Sequence, residues 1–402
     1  MKRIWLLLCT VLLASTVCFP IVYLHYTNEK NAVDEDFFFG VSFGSDKPSE
    51  AKLLIDKVKG YTNLLVINNW DICTNKTILN EICEYAYDAD LYFMVFFDWV
   101  SRVVYPWHQT WLDTAEERFG DKFLGVYLFD EPGGKQIDTG YWKTSNQTID
   151  PRHWNGDHDI IDIFENVSDY SEAAELFVAD ISSMNSTKDL KRRNIPMFTS
   201  DYALYWFDYL AGYDAVFVEL GWNHRTTKHI ALGRGAANVQ EKDWGAIIVW
   251  KSLDPEDENK GIYKTGPEML QDMIVSYQAG AKYVIIFNFP HEKPYGILEK
   301  EHFNAMEAFW NMTRSPNKNS LEKVSGEVAF VLPKDYGWGM RWLSDKIWKP
   351  AWGPDNQSLP IWENMNKLIE RCGLRLDIIY NDTRFDFMKK YSEVYYWNSV
   401  ID

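Results

Sequence analysis

Eight short apolar runs, each followed by a stretch whose apolar residues recur at helical spacing, constrain the fold of this 402-residue chain more than any other feature. The runs are Phe37–Gly44, Asn63–Asn68, Tyr92–Asp98, Leu124–Asp130, Ile195–Ser200, Ala215–Leu220, Gly245–Trp250 and Tyr283–Phe289. The helical stretches include Ser49–Lys59, Thr77–Tyr87, Thr110–Phe119, Tyr170–Asn185, Tyr202–Leu210, Arg225–Val239 and Pro267–Ala279, with Lys300–Asn311 after the last run. Strands with few polar residues, each followed by a helix, require a parallel sheet covered by helices. Eight such units in about 280 residues have the size of a (β/α)8 barrel of the TIM type. The alternative is an open doubly wound sheet. It is disfavoured because the first strand–helix turn, Gly44-Ser45-Asp46-Lys47-Pro48, has no glycine-rich phosphate loop.

The barrel is expected over residues 36–316, with an insertion at 133–169 that carries little periodicity. Beyond it the pattern restarts: Gly326–Leu332 as a strand, Pro360–Cys372 as a helix, then strands at Leu374–Tyr380 and Val394–Trp397. Residues 317–402 therefore read as a small α/β appendage packed on the barrel.

Ahead of the barrel, Lys2 and Arg3 precede an apolar run from Ile4 to about Tyr26, long enough to cross a hydrocarbon core of about 30 Å. Residues 1–26 are expected to be a signal anchor or a signal peptide and 27–35 a linker. The chain would then be held at the cell membrane through this segment alone with its C-terminal part outside, or secreted. Seven Asn-X-Ser/Thr sequons, at Asn75, Asn146, Asn166, Asn185, Asn311, Asn356 and Asn381, fit a glycoprotein of that compartment. In an oxidising exterior Cys73 and Cys83 can pair, while Cys372 reads as a small buried hydrophobe. No CxxC pair is present and the histidines have no ligand spacing, so neither a metal nor another cofactor is expected.

Composition narrows the ligand. Aromatic residues make up 16 % of the chain, with 18 Trp, and flat rings serve sugars and bases alike. A net charge of −17 repels a phosphate backbone, which excludes nucleic acid and leaves carbohydrate.

In a barrel of this type the working face is built from the C-terminal strand ends. Alternation along the fourth strand groups Gly125, Tyr127, Phe129 and Glu131 against Leu124, Val126, Leu128 and Asp130, and points Glu131 over the barrel mouth. The same parity puts Glu219, with Ala215 and Phe217, on the inner side of the sixth. Two carboxyl groups at one mouth are what glycosidic cleavage needs: one protonates the leaving oxygen, the other attacks or activates water. Asp130, Asp98 and Asp201 are supporting candidates. Trp70, Trp99, Trp107, Trp222 and Trp250 at strand ends are expected to stack on sugar, with Asn68 and Asn288 bonding hydroxyls. Arg234 reads as an orienting residue or, more simply, as a surface charge.

The stretch Gly125–Gly134, with Asp130-Glu131-Pro132, resembles the strand-four ends of the barrel glycoside hydrolase superfamily, where such a segment carries the acid/base glutamate. The blocks Gly221–Trp250 and Tyr277–Phe287 are similar to archaeal extracellular members. The resemblance implies Glu131 as acid/base. It departs from the commonest pattern at strand seven, where Ile247-Ile248-Val249-Trp250-Lys251 lacks a glutamate. Either Glu219 is the partner, giving a glycoside hydrolase, or the chain is a catalytically inactive carbohydrate-binding or cell-envelope protein.

Overall fold

The computed structural model describes residues 36–97, 107–139, 167–254, 257–289, 295–315 and 321–401. In chain order the elements are β1 (Phe38–Phe43), α1 (Pro48–Val58), β2 (Leu64–Ile67), α2 (Trp70–Thr74), α3 (Lys76–Asp88), β3 (Tyr92–Phe96), α4 (His108–Phe119), β4 (Phe123–Tyr127) and α5 (Pro132–Thr139). There follow α6 (Tyr170–Ser183), α7 (Asn185–Arg193), β5 (Met197–Asp201), α8 (Tyr205–Ala211), β6 (Ala215–Leu220), α9 (Thr226–Gln240) and β7 (Asp243–Ile248). After a hairpin, β8 (Ser252–Asp254) and β9 (Asp257–Ile262), come α10 (Gly266–Gln278), β10 (Tyr283–Ile286) and α11 (Lys300–Arg314). The C-terminal part holds β11 (Val328–Leu332), α12 (Ser358–Cys372), β12 (Leu376–Tyr380) and β13 (Glu393–Tyr396).

Strands β1 to β7 and β10 close a barrel in sequential order, every pair parallel. The (β/α)8 architecture follows from these strands being buried on both faces, which only an outer ring of helices can supply. The barrel interior is filled largely by aromatic rings: Phe38 stacks on Tyr283 at 5.1 Å, Phe198 on Phe217 at 5.8 Å, and Tyr127 lies 6.4 Å from Phe217. Part of the aromatic excess is thus core packing rather than ligand surface.

Regular alternation holds in β6, where Val216 and Val218 face the helices while Ala215 and Phe217 face inward. It fails in β4. The register shifts between Phe93 and Met94, Gly125 adopts φ 141°, and Leu124 packs inside the barrel rather than against the helices. A Cβ on Gly125 would lie 2.3 Å from the Pro196 carbonyl, so only glycine lets β4 approach β5 there. Phe129, expected inside, packs in the outer core.

Residues 328–396 form a parallel three-stranded sheet, β12-β11-β13, beside the barrel. Trp338 and Trp348 of its first connection are buried, Trp348 between Phe207 (4.6 Å) and Phe177 (5.8 Å) of the barrel helices. Arg234 is no surface charge. It is 2 % exposed on α9, bonds Asp377 of β12 at 2.7 Å, and donates to the carbonyls of Leu374, Leu376, Val324 and Ala279. Cys73 and Cys83 are free, not bridged: both are buried thiols, on α2 and α3, and Cys372 is buried as well. Among the described residues no helix is long and apolar enough to cross a membrane. The expected anchor and linker, 1–35, and most of the 133–169 insertion lie outside them.

Candidate active site

Glu131 and Glu219 come together at the C-terminal end of the barrel, near enough for the charge of Glu131 to raise the pKa of Glu219. Glu219 gets there by the regular pleat of β6. Glu131 arrives differently: Phe129 and Glu131 take left-handed φ values of 56° and 55°, which turn the chain after β4 and swing the glutamate over the opening. Such angles cost non-glycine residues about 1 kcal/mol or more, and surrounding bonds must hold them. Here the Glu131 amide donates to the Ser200 carbonyl (3.0 Å), and Thr199 Oγ1 donates to the Phe129 carbonyl (2.8 Å). The end of β5 therefore grips the loop that follows β4.

Asp201 completes that grip. Its buried carboxylate accepts from the amides of Gly133 (2.5 Å), Gly134 (2.8 Å), Tyr202 (2.7 Å) and Ala203 (3.1 Å). Burial still raises its pKa to about 6 against these four donors. Asp208 of α8 is wholly buried within reach of the Asp201 charge, and neither of its carboxyl oxygens has a hydrogen-bond donor. Burial first, and the Asp201 charge second, hold Asp208 protonated well above the usual carboxylate range.

The glutamate pair is polarised in the same way. Glu219 is 4 % exposed; burial, then the charges of Glu131 and Asp130, push its pKa well above normal, against hydrogen bonds from Ser200 Oγ (2.9 Å) and Trp222 Nε1 (3.3 Å). Glu131 is pushed up to about 7 by burial and then by Asp130, opposed by Lys135, whose Nζ lies 3.4 Å from it. Like charge on two neighbouring carboxyl groups disfavours ionisation of both, so each raises the cost of ionising the other. The Tyr127 hydroxyl, at 2.7 Å from both Asp130 Oδ1 and Ser200 Oγ, joins the supporting residues into one network.

Aromatic residues flank one side. Trp222, at φ 55° beside Asn223 at 59°, stands edge-on to Trp250 (4.9 Å), which in turn meets Phe287 (5.4 Å) and the exposed Phe289 (5.6 Å). The other predicted stackers lie elsewhere. Trp70 opens α2 and packs against the core, and Trp107 sits edge-on to Phe97 at 6.1 Å. Asp98 and Trp99 fall outside the described residues. The Asn68 amide donates to Phe43 at 2.9 Å; Asn288 is buried, its amide bonded to Ser42 Oγ (3.0 Å) and its side-chain oxygen without a donor. Tyr127, Lys135, Ser200, Tyr202 and Asp208 were not singled out from sequence, although Tyr127 and Ser200 sit on strands whose ends were. Among the described residues no group of three or more His, Cys, Asp or Glu side chains is placed to hold a metal ion.

Three solved structures place this geometry among known folds. The β-galactosidase of Rahnella sp. R3 is similar over 90 % of this chain and 67 % of its own, at TM-score 0.53 and 11 % identity. That of the psychrophilic Marinomonas ef1 covers 90 % and 72 % at TM-score 0.54 and 10 % identity, and that of the haloarchaeon Halorubrum lacusprofundi 90 % and 69 % at 0.54 and 9 %. The chain shares their fold. At these identities the likeness concerns architecture, including the C-terminal unit that the coverage takes in. No family model matches the chain, and no curated protein does.

Proposed function

We propose that the chain is a glycoside hydrolase acting on a neutral extracellular glycan, with Glu131 as acid/base and Glu219 as the second carboxylate. One observation carries this reading: a glutamate following β4 and a glutamate at the end of β6, both with raised pKa, stand together at the mouth of a (β/α)8 barrel, beside the Trp222–Trp250 wall. An acid/base catalyst works best with a pKa near the working pH, and Glu131 at about 7 has it. Ser200 and Trp222 aim two donors at Glu219, which favour its anion once a substrate parts the pair. A β-galactoside is the first substrate to test, because the structurally similar proteins are β-galactosidases. Glu131→Gln is expected to lower turnover of an alkyl β-galactoside by about 10²–10⁴-fold and that of an activated aryl galactoside by less, since the latter needs little protonation. Equal activity of variant and parent on both substrates removes Glu131 from this role.

A second reading has its own support. A nucleophile or base must be ionised to act, whereas burial and the charges of Glu131 and Asp130 hold the Glu219 pKa well above the usual carboxylate range. A barrel that binds sugar without cleaving it fits a Glu219 in that state. Binding without turnover across a panel of galactosides decides for it.

We also place the protein outside the cell, held by residues 1–26. The five described sequon asparagines, Asn75, Asn185, Asn311, Asn356 and Asn381, are all exposed, as glycan acceptors must be. Protease added to intact cells is expected to remove the bulk of the chain. Full protection, with no sequon modified, overturns this placement.

A further inference from the structure

The connection between β11 and α12 carries one large aromatic side chain that its surroundings fix in place and leave uncovered. Trp338, Met340, Arg341, Ile347 and Trp348 are buried, but Trp342 is 47 % exposed. Its backbone is held from both sides. Lys228 of α9, itself buried, donates to the carbonyls of Met340 (2.5 Å) and Arg341 (3.0 Å). Arg341 bonds both oxygens of Asp138 on α5 (2.7 and 2.6 Å) and both of Asp345 (2.8 and 2.7 Å). Three charged groups, Lys228, Arg341 and Asp345, are thus taken from water to fix the residue next to an indole that stays in it. Exposing part of a tryptophan forfeits burial energy, and rigid placement of an uncovered ring is the arrangement that lowers the entropic cost of binding.

Neighbours in sequence and ring contacts link this indole to the ends of β6 and β5. On the β6 side, Trp222 donates to Glu219, and His224, two residues on, lies 6.2 Å from Trp342. On the β5 side, Tyr202 follows Asp201, which holds the Gly133 and Gly134 amides of the loop after β4; the Arg341 guanidinium lies 5.3 Å above the Tyr202 ring and 4.6 Å from Trp342. His224 adds a buried Nδ1 without a hydrogen-bond partner beside the ring. Trp342 therefore stands at the rim of the mouth, one side chain beyond the β4–β6 ends and on the side served by the C-terminal unit.

We propose that Trp342 is the stacking platform of an outer subsite, so that the C-terminal unit selects neutral oligosaccharides over single sugars and disaccharides. The proposal rests on the glycoside hydrolase reading for its ligand class. Pyranose rings present an apolar face that fits a fixed indole, and the net charge of −17 argues against anionic glycans.

The test is calorimetric titration of the full chain with β-1,4-linked galactobiose and galactohexaose, in the Glu131→Gln background so that the probes are not consumed. The quantity read is the ratio of the two affinities. The ratio is expected to favour the hexaose by about fivefold to tenfold, to collapse to near one in Trp342→Ala, and to recover in part in Trp342→Phe. Thermal melts of the three proteins exclude misfolding, since the ring is exposed. A length preference that survives Trp342→Ala overturns the subsite and leaves the glycoside hydrolase reading standing. Failure of the parent to bind either probe, together with no turnover by the native chain, overturns both.

Discussion

Asp208 is the residue whose chemistry is easiest to isolate. Buried and protonated on α8, it supports Asp201, which holds the amides of the loop bearing Glu131. Its folded pKa lies above its unfolded value, so its proton is retained on folding at any pH between the two, and the stability it contributes is present below the unfolded value and falls as pH rises. Asp208→Asn removes that dependence while keeping a donor to Asp201. The melting temperature of the variant relative to the parent is therefore expected to climb steadily between about pH 4 and 8. A difference that stays flat over that range shows that Asp208 titrates alike in the folded and unfolded chain and overturns its raised pKa. The pKa of about 7 at Glu131 leads to a second expectation: if it is the acid, kcat/KM declines above neutrality, and Glu131→Gln abolishes that limb of the profile.

At the scale of elements, the connection from β4 to α5 is the most constrained. A Cβ on Gly134 would lie 2.1 Å from the Tyr202 ring, so Gly134→Ala must displace either α5 or Tyr202, and Tyr202 also bonds Asp138 at 2.9 Å. Such overpacking costs about 1–3 kcal/mol. Because it shifts the loop carrying Glu131, turnover is expected to fall about tenfold to a hundredfold, more than the stability loss accounts for. Urea titration paired with steady-state kinetics separates the two; unchanged kinetics in a destabilised protein removes this loop from the site. The same connection marks where sequence was informative. The strands of the barrel were legible because each is a short, nearly continuous apolar run, and Glu219 was placed by an unbroken pleat. Alternation assigned Glu131 to the mouth for a reason that does not operate: β4 is irregular at Gly125, and two left-handed residues reset the direction. Gly125 itself was the only local sign, since pleat parity carries no information about positive φ. Position along the chain does not separate Trp222 and Trp250, which border the site, from Trp70 and Trp107, which pack against the core. Trp342 was beyond such reasoning, because its place depends on how a distant segment docks.

At the scale of the whole molecule, Arg234 is the clearest instance of that limit. Its partner Asp377 lies 143 residues away, and nothing local distinguishes the arginine from a surface charge. With Asp377 also bonded by Asn238 (2.9 Å) and Tyr391 (3.0 Å), the pair ties α9 to β12 in the dry seam between barrel and appendage. Arg234→Met leaves a carboxylate buried without its cation and is expected to cost about 3–5 kcal/mol, measurable by denaturant unfolding. A double variant, Arg234→Met with Asp377→Leu, is expected to recover part of that loss; recovery of none shows that the remaining hydrogen bonds, not the charges, govern the seam.

The burial of α9 also bears on the order of assembly. The helix is enclosed along nearly its whole length, by β6 and β7 on one side and by the sheet containing β12 on the other. A ribosome that has just released β10 has therefore made every barrel strand but not the surface that covers α9. The nascent chain must wait for about a hundred further residues at roughly 5–20 per second before that helix is sealed, and for those seconds it presents a half-finished face to chaperones. Synthesis of the last strand, more than closure of the barrel, then sets the moment at which this protein commits to its native state.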